Sequence, residues 1–256
     1  HFMMKEIHEQ PRAVRDTLSP RIKENESGER YIDLSETGLT DEDFAAVSRV
    51  YLIGCGSAYH VGMAARYVLE KAARVPCEVD LASEFRYRDP ILEESGLVII
   101  ISQSGETAHS LAALRLCKER GVRTLAVVNV VGSSIAREAD SVIYTWAGPE
   151  IAVASTKAYI TQVEMMVLLA IDLGVKRGHL TESVASELLR QMADIPALAE
   201  QVMALEPAVQ RFSSLYHDRQ HVFYIGRGLD NALAMEASLK LKEVSYIMSE
   251  AYAAGE

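Results

Sequence analysis

The feature that most constrains this chain is a rhythm that sets in at residue 49, where short β-branched runs alternate with longer stretches of helical period. A run such as 97–101 (LVIII) has no polar position on either face. Such a strand needs cover on both sides, which a parallel sheet wrapped by helices supplies. The runs predict strands at 50–53, 78–81, 97–101, 124–128 and 142–145, with helices near 58–72, 107–120 and 133–138 between them. Residues 155–175 read as one long apolar helix. Residues 181–218 are amphipathic and strand-free, and are expected to break at Pro196 and Pro207, as a helical connector would. Before residue 40 the charge-mixed run predicts one helix starting after Pro11, then a surface excursion.

The first strand and helix recur later in the chain. Val50-Tyr-Leu-Ile-Gly54-Cys-Gly56, with Met63 and Ala65 on the following helix, matches Val222-Phe-Tyr-Ile-Gly226-Arg-Gly228, with Met235 and Ala237 beyond it, at a constant offset of 172 residues. Duplication is the preferred reading. It divides the chain into an N-terminal helix and surface segment (1–40), a first α/β domain (41–180), the connector (181–218) and the start of a second domain (219–256). That second copy is expected to be incomplete. Its strand at 221–225 and the helix bearing Met235, Leu239 and Leu241 should then leave apolar surface uncovered, so the chain is expected to self-associate.

Lys and Arg number 26 against 36 Asp and Glu, a net charge of −10, so no basic field exists to hold nucleic-acid phosphates or an anionic membrane. An anionic ligand must be held by local groups. The apolar runs are interrupted by charges well before the roughly 20 residues of a membrane span, and the opening HFMMKEIHEQ has no leader-like pattern. Cys55, Cys77 and Cys117 are odd in number and widely spaced. They read as free thiols of a reducing cytoplasm rather than a disulfide or metal framework.

Chemistry concentrates in Ser102-Gln-Ser-Gly-Glu-Thr107, directly after the LVIII run and directly before a helix. Ligands bind at the carboxyl ends of strands in open α/β sheets, and free N–H groups at a helix start favour an anion such as a phosphate monoester. A single hydroxyl would suffice for capping, so three hydroxyls and Gln103 favour a binding loop. Gly54-Cys-Gly-Ser57 also joins strand to helix, but position 59 is Tyr, so a dinucleotide fingerprint fails, and no G-x-x-x-x-G-K-[ST] phosphate loop exists. Ser57 is an additional candidate donor. In Gly148-Pro-Glu-Ile-Ala-Val-Ala-Ser-Thr-Lys157, Ser155 or Thr156 is expected to cap the long helix, and the small residues would let a ligand approach the backbone. Lys240 and Glu243 share a helix face, which by itself describes an ordinary surface ion pair. His60 and His109 read as polar or capped helix-start positions rather than catalytic bases.

Taken together, MKEIHEQP, GCGSAYH, SQSGET, GPEIAVASTKA and the stretch from GRGLDNALAMEASLKLKEVSYIMSEAYAAGE, in this order, resemble the sugar-isomerase (SIS) part of the glutamine-dependent fructose-6-phosphate amidotransferase family. The resemblance implies two SIS domains of flavodoxin-like topology, each a three-layer α/β/α sandwich with helices on both faces of a parallel sheet, working as a cytoplasmic homodimer without a cofactor or metal. Fructose 6-phosphate and glucosamine 6-phosphate are the implied ligands. Position by position it makes Ser102, Gln103, Ser104 and Thr107 a phosphate cradle, sets Ser57 as a substrate-binding residue where the family commonly has Thr, places a backbone contact to the sugar at Val153, makes Glu243 the base that moves a proton between C1 and C2, and makes Lys240 its partner. Ala58 stands where many relatives carry a second hydroxyl, which leaves one donor fewer. The resemblance also implies a glutaminase domain in the parent protein, and a histidine and a lysine-bearing tail beyond Glu256, so the 256 residues alone are expected to be nearly inactive as a synthase. Alternatives are another SIS isomerase or deglycase, or a sugar-phosphate sensor.

Overall fold

Strands with no solvent-compatible face must end up inside, and the computed structural model, which describes residues 1–256, places them there. In chain order the elements are α1 (Phe2–His8), α2 (Gln10–Leu18), β1 (Ile22–Glu24), β2 (Arg30–Ile32), α3 (Asp41–Ala45), β3 (Val50–Gly54), α4 (Ser57–Ala72), β4 (Cys77–Leu81), α5 (Ala82–Phe85), β5 (Leu97–Ser102) and α6 (Ala108–Glu119). There follow β6 (Arg123–Val128), α7 (Ser134–Glu138), β7 (Ser141–Tyr144), α8 (Lys157–Lys176), α9 (Glu182–Met203), α10 (Glu206–Tyr216), β8 (His221–Gly226), α11 (Leu229–Ser245) and β9 (Met248–Ala253). The five predicted strands are β3 to β7, each within a residue or two of its expected bounds.

They form one parallel sheet of order β4-β3-β5-β6-β7, the flavodoxin-like order. Every residue of β3 and β5 is buried. Alternation along these strands sends Leu52, Ile99, Ile101 and Val127 to one face, against Leu69 of α4 and Met165 and Leu169 of α8. Ile53, Val98, Ile100 and Val128 go to the other, against Phe85, Leu114 and Ile135 of α5 to α7. The result is the three-layer sandwich. The apolar helix α8 is long enough to cross a bilayer, yet 72% of its apolar window is buried inside the protein, so it is a core helix.

Several local expectations are corrected by packing. Helix α2 begins before Pro11, which occupies its first turn where no N–H is needed, and a further helix, α1, precedes it. Pro196 does not break the helix: α9 runs through it, because a stripe including Ala185, Leu189 and Met192 is buried on the core and holds the helix despite an interior-proline penalty of about 3 kcal/mol. The turn falls at Ala204–Leu205 instead, and Pro207 sits in the first turn of α10. The β1–β2 hairpin and strand β9, too short or too polar to register as strands in the sequence, also form.

The sequence repeat has a geometric counterpart. Strand β8, helix α11 and strand β9 pair in parallel as β3, α4 and β4 do. The N-cap glycines share one left-handed conformation, with φ 56° and ψ −127° at Gly56 and φ 59° and ψ −124° at Gly228. A Cβ at Gly54 would lie 2.7 Å from the Ala58 carbonyl carbon, and one at Gly226 would collide with the backbone of Asp230, again four residues on. Glycine at both positions is what lets the helix close onto its strand.

Candidate active site

The order β4-β3-β5 means that the chain reverses direction across the sheet between β3 and β5, and an open sheet offers its ligand crevice at such a switch point. Ser57 follows β3 and Ser102 ends β5, so both loops are delivered to the same edge. A cleft of about 250 Å³ opens there. All eight residues singled out from the sequence line it: Ser57, Ser102, Gln103, Ser104, Thr107, Val153, Lys240 and Glu243. A larger groove of about 400 Å³, between β2 and the facing ends of α8 and α9, is lined by none of them.

The Ser102–Thr107 loop is held from within and from below. Gly105 adopts φ +66°, its N–H donates to Ser102 Oγ (3.1 Å), and its carbonyl accepts from Ile135 N (3.0 Å). The Glu106 carboxylate accepts from Ser134 N (2.8 Å), which ties the loop to the start of α7. Thr107 is the N-cap of α6, yet its hydroxyl makes no capping bond; it points back towards Ser102 Oγ at 3.4 Å. Side-chain capping therefore does not account for the Thr107 hydroxyl, while the Ser102 and Ser104 hydroxyls accept from the N–H groups of Gly105 and Glu106 within the loop; Thr107, at the positive end of the α6 dipole, lines the cleft.

Opposite this loop, α11 brings its charged face against the start of α4. Lys240 Nζ lies 2.6 Å from Glu243 Oε2 and donates to Ser57 Oγ at 2.9 Å, while Ser57 donates to Glu236 Oε1 at 2.8 Å. His60 Nδ1 lies 2.7 Å from Glu236 Oε2. The sequence reading missed Glu236, which is 6% exposed and bonds to groups more than 170 residues away. Its place four residues before Lys240 and seven before Glu243, on one helix face, was the only available signal. The surface-pair reading of Lys240 with Glu243 does not describe what forms, since Lys240 is four-fifths buried and tied across to the other half of the molecule. His60 occupies a polar position, as expected, but one whose partner lies on a distant helix. The neighbouring Tyr159 phenol is pushed up by burial, and further by the Glu236 carboxylate.

The third wall is the loop before α8. Neither Ser155 nor Thr156 caps that helix through its side chain. The Glu150 carboxylate does so instead, accepting from Thr156 N (2.9 Å), Ala158 N (3.2 Å) and the Ser155 hydroxyl (2.8 Å). Val153, at 93% exposure, stands on the rim of the cleft. Among the cysteines, Cys55 lines the cleft, whereas burial pushes the Cys77 and Cys117 thiols up to about 12, far from the reactive range. No group of three or more His, Cys, Asp or Glu side chains is arranged to hold a metal ion.

A parallel sheet of flavodoxin-like order, with a hydroxyl-rich loop at its switch point facing a lysine–glutamate pair across a cleft, defines an open α/β domain with its candidate site at the carboxyl edge of the strands. The chain belongs to the SIS-domain family, whose model matches residues 43–172. More particularly, it is 54% identical over its full length to the glutamine–fructose-6-phosphate aminotransferase [isomerizing] of Symbiobacterium thermophilum and 51% identical to that of Caldanaerobacter subterraneus, spanning 42% and 41% of those proteins. Among solved structures, the C-terminal domain of glucosamine-fructose-6-phosphate aminotransferase from Francisella tularensis superposes with a TM-score of 0.93 at 38% identity, covering all of this chain and 70% of that one. A glucosamine-6-phosphate deaminase from Thermotoga maritima shares the fold, with a TM-score of 0.78 at 22% identity. The chain thus matches the isomerase part of these aminotransferases and spans about two fifths of the length of the curated relatives.

Proposed function

We propose that the cleft binds a hexose 6-phosphate, and that in the parent protein it isomerises fructose 6-phosphate to the amino-aldose phosphate with ammonia from a glutaminase domain. The observation that carries this reading is the convergence of Lys240 and Glu243 with Ser57 across the cleft from the Ser102–Thr107 loop. In this reading Ser102, Gln103, Ser104 and Thr107 hold the phosphate with neutral donors and backbone N–H groups, which suits a chain of net charge −10. Ser57 and the Val153 backbone contact the sugar. Ammonia adds at the C2 carbonyl and water leaves to give an imine; one proton then moves from C1 to C2 through an enol-type intermediate as the C1 hydroxyl gives up its proton and becomes the aldehyde, so a single carboxylate, Glu243, removes and returns the carbon-bound proton, with Lys240 assisting at the C1 oxygen. A purely sensory module would need the phosphate loop without this pair.

Isothermal titration with fructose 6-phosphate tests the reading. Changing Ser104 and Thr107 together to Ala removes two hydrogen bonds to a charged group, each contributing roughly 1.5–3 kcal/mol, so affinity should fall by about 100-fold or more. Equal affinity of the unaltered protein for unphosphorylated fructose would sink the proposal.

The geometric repeat supports reading β8, α11 and β9 as the opening of a second SIS domain, with α9 and α10 as the connector. Phe223 and Ile225 on β8, and Val209, Phe212 and Leu215 on α10, are each more than half exposed. Exposed apolar side chains grouped on each of these two elements are the kind of surface that marks an interface, and a second copy of the chain is the proposed partner. Light scattering at micromolar concentration should therefore report a species larger than the 28.2 kDa monomer, and a monodisperse monomer would show the argument wrong.

A further inference from the structure

The opening motif MKEIHEQP is left without a chemical task by the reading above, yet its two glutamates are fastened to the rim of the cleft. Glu6 on α1 is 3% exposed. Its carboxylate accepts from the backbone N–H of Ile151 (2.6 Å) and of Ala152 (3.2 Å). Three residues on, at the α1–α2 junction, Glu9 meets Lys157 Nζ at 2.7 Å, and that lysine, at the first position of α8, is 2% exposed. The Lys157 ammonium holds the Glu9 carboxyl below its usual range. A spacing of three places both glutamates on one helical face.

The segment they grip has no ladder of its own. Residues 148–156 form neither helix nor strand, and their polar backbone is satisfied by side chains: Asn129 donates to the Gly148 carbonyl (2.8 Å), Glu150 takes the N–H of Thr156, and Glu6 takes those of Ile151 and Ala152. Val153 follows directly. Charge-assisted hydrogen bonds are roughly twice as strong as neutral ones, and a buried carboxylate is destabilising without its donors, so Glu6 and the loop fix each other firmly.

We propose that Glu6 is a positioning residue for the candidate active site: from the N-terminal helix it sets the backbone of Ile151 and Ala152, and through them the height at which Val153 meets the sugar. The inference rests on the proposed hexose-phosphate reading. It separates two regions of the cleft, because Glu6 holds the two residues before Val153 and makes no hydrogen bond to the Ser102–Thr107 loop. Loss of Glu6 therefore loosens the hold on the sugar and leaves the hold on phosphate as it was.

The test uses the full 256-residue chain with Glu6→Ala and Glu6→Gln, the latter keeping one oxygen acceptor at the same reach. Affinities for fructose 6-phosphate and for inorganic phosphate are measured by titration, and amide exchange is followed at Ile151 and Ala152. The expected result for Glu6→Ala is a roughly tenfold or greater loss of fructose 6-phosphate affinity, unchanged phosphate affinity and faster exchange at the two amides, with Glu6→Gln recovering much of the loss. Equal weakening of both ligands, or no recovery in Glu6→Gln, assigns Glu6 a merely structural role and overturns the proposal; so does unchanged sugar-phosphate affinity. If the unaltered protein binds phosphate but not fructose 6-phosphate, the hexose-phosphate reading fails first and this inference goes with it.

Discussion

Gly105→Ala should both destabilise the protein by about 2–5 kcal/mol and abolish measurable fructose 6-phosphate binding. Gly105 sits at φ +66°, where an L side chain costs roughly 1–2 kcal/mol. Its new Cβ would also overlap the side chain of Ser133, which is buried at the N-cap of α7. Overpacking of this kind adds about 1–3 kcal/mol. Relief requires the loop to move away from α7, which breaks the bonds from Ile135 N to the Gly105 carbonyl and from Ser134 N to Glu106. Those two bonds set the hydroxyls of Ser104 and Thr107 relative to the start of α6. The control is Gly121→Ala, also at positive φ (72°) but with open space around the missing Cβ, where backbone strain alone applies and binding should persist. Urea denaturation and titration calorimetry check the pair. Should Gly105→Ala behave like Gly121→Ala in both, the packing of the loop on Ser133 has no role in forming the site.

A large pH effect is expected at Glu164, on the buried stretch of α8. Its residue is 7% exposed, its Oε2 has no hydrogen-bond partner, and desolvation pushes the carboxyl up to about 7 from an ordinary 4.5. The native state therefore keeps a proton that the unfolded chain releases above about pH 4.5. Between pH 4.5 and 7 the folded protein binds more protons, so stability falls as pH rises, by about 1.4 kcal/mol per unit at most, and the loss levels off near 3 kcal/mol above pH 7. Glu164→Gln removes this dependence. The variant's stability relative to the unaltered protein should rise with pH through this window and stay constant above it, as read from denaturant midpoints at pH 4, 6 and 8. A difference that does not change with pH would mean that Glu164 is ionised, and paired or hydrated, in the folded protein.

Much of the fold could be read locally, because burial on both faces leaves a mark in the strand itself. The LVIII run of β5 and the run of β3 admit no solvent face, and the helical periods between them leave a wrapped parallel sheet as the consistent solution. The position of the Ser102–Thr107 loop was legible for the same kind of reason: its place at the end of a buried strand puts it at the carboxyl edge of the sheet, where it lines the cleft. The misreadings also have local causes. Pro196 carries a strong helix-breaking signal, but α9 buries enough apolar surface to override it, and propensity cannot report that burial. Strand β9 (MSEAYA) looks unlike a strand and forms through its pairing with β8.

What the sequence determined by itself was the set of elements, their alternation, the repeat of strand, Gly-x-Gly and helix at an offset of 172 residues, and the candidate loops. Only the tertiary structure decided which distant groups meet: Glu236 with Ser57 and His60, Lys240 with Ser57, Glu6 with the amides of Ile151 and Ala152, and the unpaired burial of Glu164. The physical reason is the range of the signals. Periodicity and capping reflect interactions a few residues apart, so they are written into neighbouring positions. A carboxylate that accepts from a partner more than 140 residues away looks, in sequence, like any surface glutamate until packing removes its water and leaves those donors as its only partners.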